Sequence, residues 1–116
     1  MAPPAAPPHR LSIDAARARV ARGEWHEALM VDVLLRAGAA AATSVFTALS
    51  SQRALEAARA ADQRPAATHR LQGLPVSIKD LFDVQGEVTR AGSVVRQGAA
   101  PAAHDAVAVA RLRATG

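Results

Sequence analysis

His69-Arg70-Leu71-Gln72-Gly73-Leu74-Pro75-Val76-Ser77-Ile78-Lys79-Asp80-Leu81-Phe82-Asp83-Val84-Gln85-Gly86 is the stretch on which the reading of this chain turns. Gly73-Leu74-Pro75 reads as a turn, and proline is tolerated as the first residue of a strand. Residues 76–79 then alternate. Val76 and Ile78 share one face and Ser77 and Lys79 the other, the period of a short strand. Lys79 is the only lysine of the chain, against thirteen arginines. Two readings of it stand side by side. Lysines are mostly solvated, which makes it a strand-edge cation paired with an acid such as Asp80. Alternatively it is a base, and a lysine is neutral enough for that only when burial or a nearby cation disfavours its charge. Position alone does not decide between the two.

Upstream of this stretch the pattern is helical. Ser12 can cap a first helix, with Asp14 in its first turn near the positive end of the helix dipole. Ile13, Ala16 and Val20 recur at helical spacing, and Gly23 is a stop signal. A second helix is expected over residues 24–36, with Trp25, Leu29 and Val33 as a core-facing stripe widened by Met30, Leu34 and Ala37. Gly38 and the alanine run form a joint that ends at Thr43. Val45-Phe46-Thr47-Ala48-Leu49 alternates as a short extended piece. Ser51 is then expected to cap a third helix to Asp62, with Leu55, Ala58 and Ala61 inward and Gln63-Arg64-Pro65 closing it.

Downstream, Gly86 and Gly92 punctuate the chain, and residues 87–91 read as a second short strand. Asp105 is expected to cap a last helix that turns Val109 and Leu112 inward. Residues 1–10 carry four prolines and read as an extended, disordered leader. Helices first and strands after is the order of an α/β fold.

Composition bounds what this chain can do. Its 116 residues suffice for one small domain. Half are hydrophobic, yet about a quarter of the chain is alanine, and the only aromatics are Trp25, Phe46 and Phe82. At ~25 cal/mol per Å² an alanine contributes little, so a self-sufficient core is not expected. The net charge of +4 and pI near 11.3 come from arginines scattered along the chain. No aromatic residues interleave with them as a stacking platform, so no specific nucleic-acid partner is expected. The absence of cysteine excludes a disulfide framework, a thiolate metal site and a cysteine nucleophile. His9, His26, His69 and His104 are far apart and lack ligand spacing, so no metal is expected. No apolar run approaches the ~18 residues of a membrane span, and the opening has no signal-peptide pattern. Cytoplasm is the default compartment.

The stretch 69–86 closely resembles the segment of the amidase signature family that carries its catalytic lysine. That segment has the form L-x-G-[IL]-P-[VI]-x-[VI]-K-D, two residues, then D-V-x-G. The likeness continues through Thr89, Ala91-Gly92-Ser93 and Asp105-Ala106 to a helix of the form V-x-x-L-R-x-x-G. Upstream, Val45-Phe46-Thr47 and the run from Ala54 to Asp62 look like the family's pre-strand helix, which commonly ends A-x-x-A-D. The resemblance extends from about Ala16 to Gly116, specific around Lys79 and loose before Thr43. Arg90 departs from the small or hydroxyl residue often found before A-G-S.

The resemblance implies an α/β fold in which residues 11–116 supply the N-terminal part of an amidase domain, helices followed by the first strands of a mixed sheet. It implies hydrolysis of a carboxylic amide by a Ser–cis-Ser–Lys triad, with Lys79 in the lysine position and a small amide as substrate. No cofactor is implied. The family's glycine-rich stretch, which carries both serines and the oxyanion loop, lies beyond the helix begun at Asp105, and this chain ends before it. The chain alone is therefore expected to be inactive. Ser77 and Ser93 are not taken as substitutes: Ser77 reads as strand packing and Ser93 as part of a local turn. Asp80 and Asp83 are expected to fix the turn after the lysine, and His104-Asp105 to open a helix. A homo-oligomer is left open. Within the family the alternative is the A component of a glutamyl-tRNA(Gln) amidotransferase. Outside catalysis the alternative is a truncated remnant or a helical interaction module.

Overall fold

The computed structural model describes residues 11–39, 44–64, 69 and 71–116. The proline-rich leader, the end of the alanine joint, Pro65 and Arg70 lie outside the described residues. The chain divides into two compact units, Met1–Pro75 and Val76–Gly116.

The first unit is helical. Helix α1 spans Ile13–Ala21, and the Ser12 side chain accepts from the Ala15 N–H at 3.2 Å, as the sequence predicts for an N-cap. It ends in a Schellman arrangement: the Gly23 N–H reaches the Val20 carbonyl and the Glu24 N–H the Arg19 carbonyl. Arg19 then pairs with Glu24 across that turn.

Helix α2 spans His26–Ala37 and helix α3 Ser51–Asp62, and the two pack on each other. Leu29, Ala58 and Ala61 are fully buried in this pair. Two alanines one turn apart let the backbones approach closely, which is what a sequence poor in large apolar residues can offer. The core is accordingly thin, as the composition predicts: no large side chain is completely enclosed among the described residues. Two expectations need correction here. Trp25 is not core but the residue before α2, and it is 63% exposed. Ser51 is the first residue of α3 rather than its cap, a position held by Ser50.

The start of α2 poses a physical problem that α3 solves. Its first-turn N–H groups need acceptors, and Trp25 at the cap position has no side-chain oxygen to offer. Asp62, at the far end of α3, supplies both. Its Oδ1 accepts the His26 N–H at 2.7 Å and its Oδ2 the Glu27 N–H at 3.0 Å. The same Oδ1 lies 2.7 Å from His26 Nδ1, and since an ionised carboxylate only accepts, Nδ1 carries the proton. Arg59 adds an exposed bond to Glu27 at 2.7 Å, worth little by itself.

Burial pushes the Asp62 carboxyl up. The backbone N–H groups of Glu27 and His26, with the His26 side chain, more than offset this and hold it below the ordinary aspartate value. A depressed carboxyl stabilises the fold above its unfolded-state value of ~3.9, and that contribution is lost as pH falls through the lower folded value. Asp62→Ala is therefore expected to cost about 2 kcal/mol near neutral pH. In urea titrations run at successive pH values, the gap between it and the unsubstituted chain should close in acid. A gap that stays constant to the acid end would refute the assignment.

The second unit carries no long helix. Residues 83–87 and 102–106 run alongside each other: Gly86 N–H donates to the Ala102 carbonyl, Ala102 N–H to Glu87, and Ala106 N–H to Asp83, at 2.8–2.9 Å. Between them lies a 3-10 helix at Val94–Gly98, which no pattern in the sequence announces, and after them helix α4 at Val107–Ala114. Val109 is buried, but Leu112 is not. Asp105 does not cap α4, whose cap position is Ala106. Its carboxylate instead accepts from the Gln85 N–H at 2.8 Å and from Arg113 Nε at 2.6 Å, tying α4 to the preceding loop.

The expected strands at 45–49, 76–79 and 87–91 do not form. The described residues contain no strand. Alternation marks a segment fit for a sheet, but a ladder needs a neighbouring strand to satisfy its N–H and C=O groups. Val76 is 64% exposed, as a sheet residue without its cover would be.

Candidate active site around Lys79

Lys79 stands at the head of a tight turn. Its carbonyl accepts from the Phe82 N–H at 3.1 Å, closing a four-residue turn, and from the Leu81 N–H at 2.7 Å. Its side chain is exposed. No strand holds Lys79, and the Asp80 carboxylate next to it accepts from the Arg90 N–H. The desolvation that a base needs is not supplied by the described residues.

Two carboxylates that follow the lysine brace the turn, as expected for Asp80 and Asp83. Asp80 Oδ1 accepts the Arg90 N–H at 2.9 Å, and Asp83 Oδ1 accepts the Thr89 hydroxyl at 2.6 Å. Arg96 grips the same segment through Nε to the Thr89 carbonyl at 2.8 Å. Between these anchors the chain reverses at Arg90-Ala91-Gly92-Ser93, where the Ser93 N–H donates to the Arg90 carbonyl at 2.9 Å. Both central residues are left-handed, Ala91 with φ 52° and Gly92 with φ 70°. That is the signature of a type I′ turn, common for glycine and strained for alanine.

Asp80 carries a second peculiarity. Its other oxygen, Oδ2, is buried and has no hydrogen-bond partner among the described residues. The serines near Lys79 do not form a catalytic pair with it. Ser77 is exposed, and Ser93 closes the type I′ turn through its backbone N–H; among the described residues no hydrogen bond joins either hydroxyl to Lys79. His104 is exposed as well. Sequence reasoning anticipates that Asp80 and Asp83 fix the turn but misses Arg96, whose role no motif announces, and the strain at Ala91.

On the other side of the motif, Gly73 belongs to the first unit. It adopts φ +69°, and a Cβ there would fall 2.2 Å from His26 Cδ2 and 2.6 Å from Nε2. The glycine of the motif is therefore required twice over, by its backbone and by the imidazole packed against it. Gln72 beside it is buried.

Comparison with known proteins gives this segment a family. The profile of the Amidase family matches residues 29–116, and the chain belongs to the amidase signature family. It is 38% identical, over 93% of its length, to the A component of the glutamyl-tRNA(Gln) amidotransferase of Roseiflexus sp. (strain RS-1). It is 42% identical, over 63% of its length, to the AtzE component of the 1-carboxybiuret hydrolase of Pseudomonas sp. (strain ADP). Among solved structures it resembles, with a TM-score of 0.79 and 32% identity over 91% of its length, a chain from a vestigial protein complex that bears on the evolutionary origins of an s-triazine catabolic enzyme. The chain spans 23%, 17% and 24% of these three proteins respectively, so it corresponds to about a quarter or less of each. Among the described residues no helix is long and apolar enough to cross a membrane.

Proposed function

We propose that residues 11–116 form the lysine-bearing N-terminal part of an amidase domain whose remaining portion supplies the serines. The observation that carries this reading is the clamped turn headed by Lys79, inside the segment that matches the Amidase family. In the assembled domain Lys79 is the base. It is stripped of water by the covering portion and takes a proton, through a bridging serine, from the nucleophilic serine. That serine adds to the amide carbonyl, and the C–N bond breaks as the leaving amine picks up a proton. Water then releases the acid from the acyl-enzyme. Backbone N–H groups of the glycine-rich stretch hold the oxyanion. The mixed sheet forms in the same assembly, with residues 76–79 as one strand beside a neighbour contributed from outside this chain. The substrate is a small amide and the setting is the cytoplasm.

Two observations support this over a remnant or a helical interaction module. The two carboxylate braces that follow Lys79 are intact, and exposed apolar residues such as Val76, Leu81, Phe82 and Val95 are what one segment of a larger core would show. A narrower reading, the A component of a glutamyl-tRNA(Gln) amidotransferase, is favoured by the identity that extends over 93% of the chain.

The test is to place residues 29–116 in AtzE of Pseudomonas in exchange for its matching segment, and to assay 1-carboxybiuret hydrolysis in the complex that AtzE itself forms. Retained turnover supports the reading. A soluble, assembled chimera without turnover sinks it. The purified 116-residue chain is expected to show no amide hydrolysis by itself, and turnover that disappears in Lys79→Ala would overturn that expectation.

A further inference from the structure

Two local departures from low energy converge on a single hydrogen bond beside Lys79. The first is the buried Oδ2 of Asp80, which lacks a donor among the described residues. Buried polar atoms are nearly always satisfied, and one that is not calls for an explanation. The second is Ala91, a non-glycine residue held at φ 52°. Such backbone strain persists only where its surroundings over-determine it, and it gathers at functional sites. Asp80 Oδ1 and the N–H of Arg90, the residue that opens the turn containing Ala91, are joined by the 2.9 Å bond between them. Asp80 is also the residue after Lys79 in the turn that the Lys79 carbonyl closes.

From this geometry we infer that Asp80 is a positioning residue for Lys79, one that ties the lysine turn to the Arg90–Ser93 turn through the Arg90 N–H. The inference rests on the reading of Lys79 as the base. The Lys79 carbonyl is fixed by Leu81 and Phe82 on one side. On the other, the Asp80 side chain reaches ten residues along the chain, so the backbone that bears the lysine cannot pivot without breaking this bond. Asp83 with Thr89, and Arg96 with the Thr89 carbonyl, hold the neighbouring position, so the receiving turn is itself immobilised. The unpartnered oxygen is the cost.

Asp80→Asn and Asp80→Ala separate these roles. Asparagine keeps a carbonyl oxygen for the Arg90 N–H and sets an amide NH2 where the buried, unpartnered oxygen stands; alanine removes both oxygens. In the 116-residue chain, amide exchange at Gly86, Ala102 and Ala106 reports the integrity of the second unit, and exchange at Arg90 reports the bond itself. Asparagine should leave Arg90 protected, while alanine should expose it. In the assembled chimera, alanine should lower kcat about tenfold or more with KM little changed, and asparagine should recover most of that loss. Unchanged kcat in the alanine variant would overturn the inference. So would an asparagine variant as slow as alanine, which would make charge rather than the Arg90 bond the operative property. Exchange at Arg90 unaffected by alanine overturns it in the chain alone, whether or not the chimera assembles. Lys79→Ala in the same chimera keeps the two ideas apart. If it retains turnover the base assignment fails, and if it is dead while Asp80→Ala is fully active only the positioning role fails.

Discussion

Lys79→Ala in an assembled amidase domain should reduce amide hydrolysis by about a thousandfold, the scale of a lost general base acting on a nucleophile. The loss belongs in kcat, because the amine is not asked to bind substrate but to hold a proton during attack. Arginine at the same position should fail as badly. Its guanidinium stays charged and cannot take the proton. Amine-directed modification of the chimera, mapped residue by residue, that silences it in proportion to labelling at Lys79 would agree with the substitution. A Lys79→Ala chimera within about tenfold of the parent would remove the lysine from the chemistry.

Gly73→Ala is expected to have the largest effect on folding. A methyl group at this position meets the His26 ring at 2.2–2.8 Å, and the backbone sits at φ +69°, where a side chain is strained in any case. The imidazole cannot swing aside freely, because its Nδ1 is held by Asp62. Steric overlap and left-handed strain together should cost about 3 kcal/mol. A core as thin as Leu29, Ala58 and Ala61 leaves little in reserve, so the first unit should lose its cooperative transition. A double-mutant cycle with His26→Ala isolates the clash. When the ring is removed, the cost of Gly73→Ala should drop towards the strain alone, about 1–2 kcal/mol. Strictly additive effects would show that the ring is not what the glycine avoids.

Local patterns carry most of what is legible in the sequence. Ser12, Gly23 and the end of α3 at Asp62 stand where their residue types predict, because capping and termination are decided within a few residues. The family resemblance, carried by residues 69–86, points to Lys79 and to the braces Asp80 and Asp83. What escapes is non-local. Nothing around Trp25 shows that the acceptor for α2 lies 36 residues away from His26, so Trp25 reads as part of the core stripe it happens to extend. Asp105 reads as a cap since it precedes a helix, yet its carboxylate is better used between Gln85 and Arg113. The strands fail for a related reason. Alternation at 76–79 suits a sheet, but the described residues hold no strand to pair with it, and a pattern in one segment cannot create the ladder that two segments make.

The reach of Asp62 to the start of α2 also sets an order on how this protein comes into being. Helix α2 has twelve residues, at the lower limit for a helix that persists in water without support. Its opening turn receives its carboxylate from a residue that the ribosome adds 36 positions after His26. Until that residue emerges, α2 has neither its cap nor the alanine surface of α3, and it can only flicker. The two helices therefore appear together, late, as one event. A ribosome-bound chain whose emerged part ends just short of Asp62 should stay sensitive to protease, and a few more emerged residues should make it resistant.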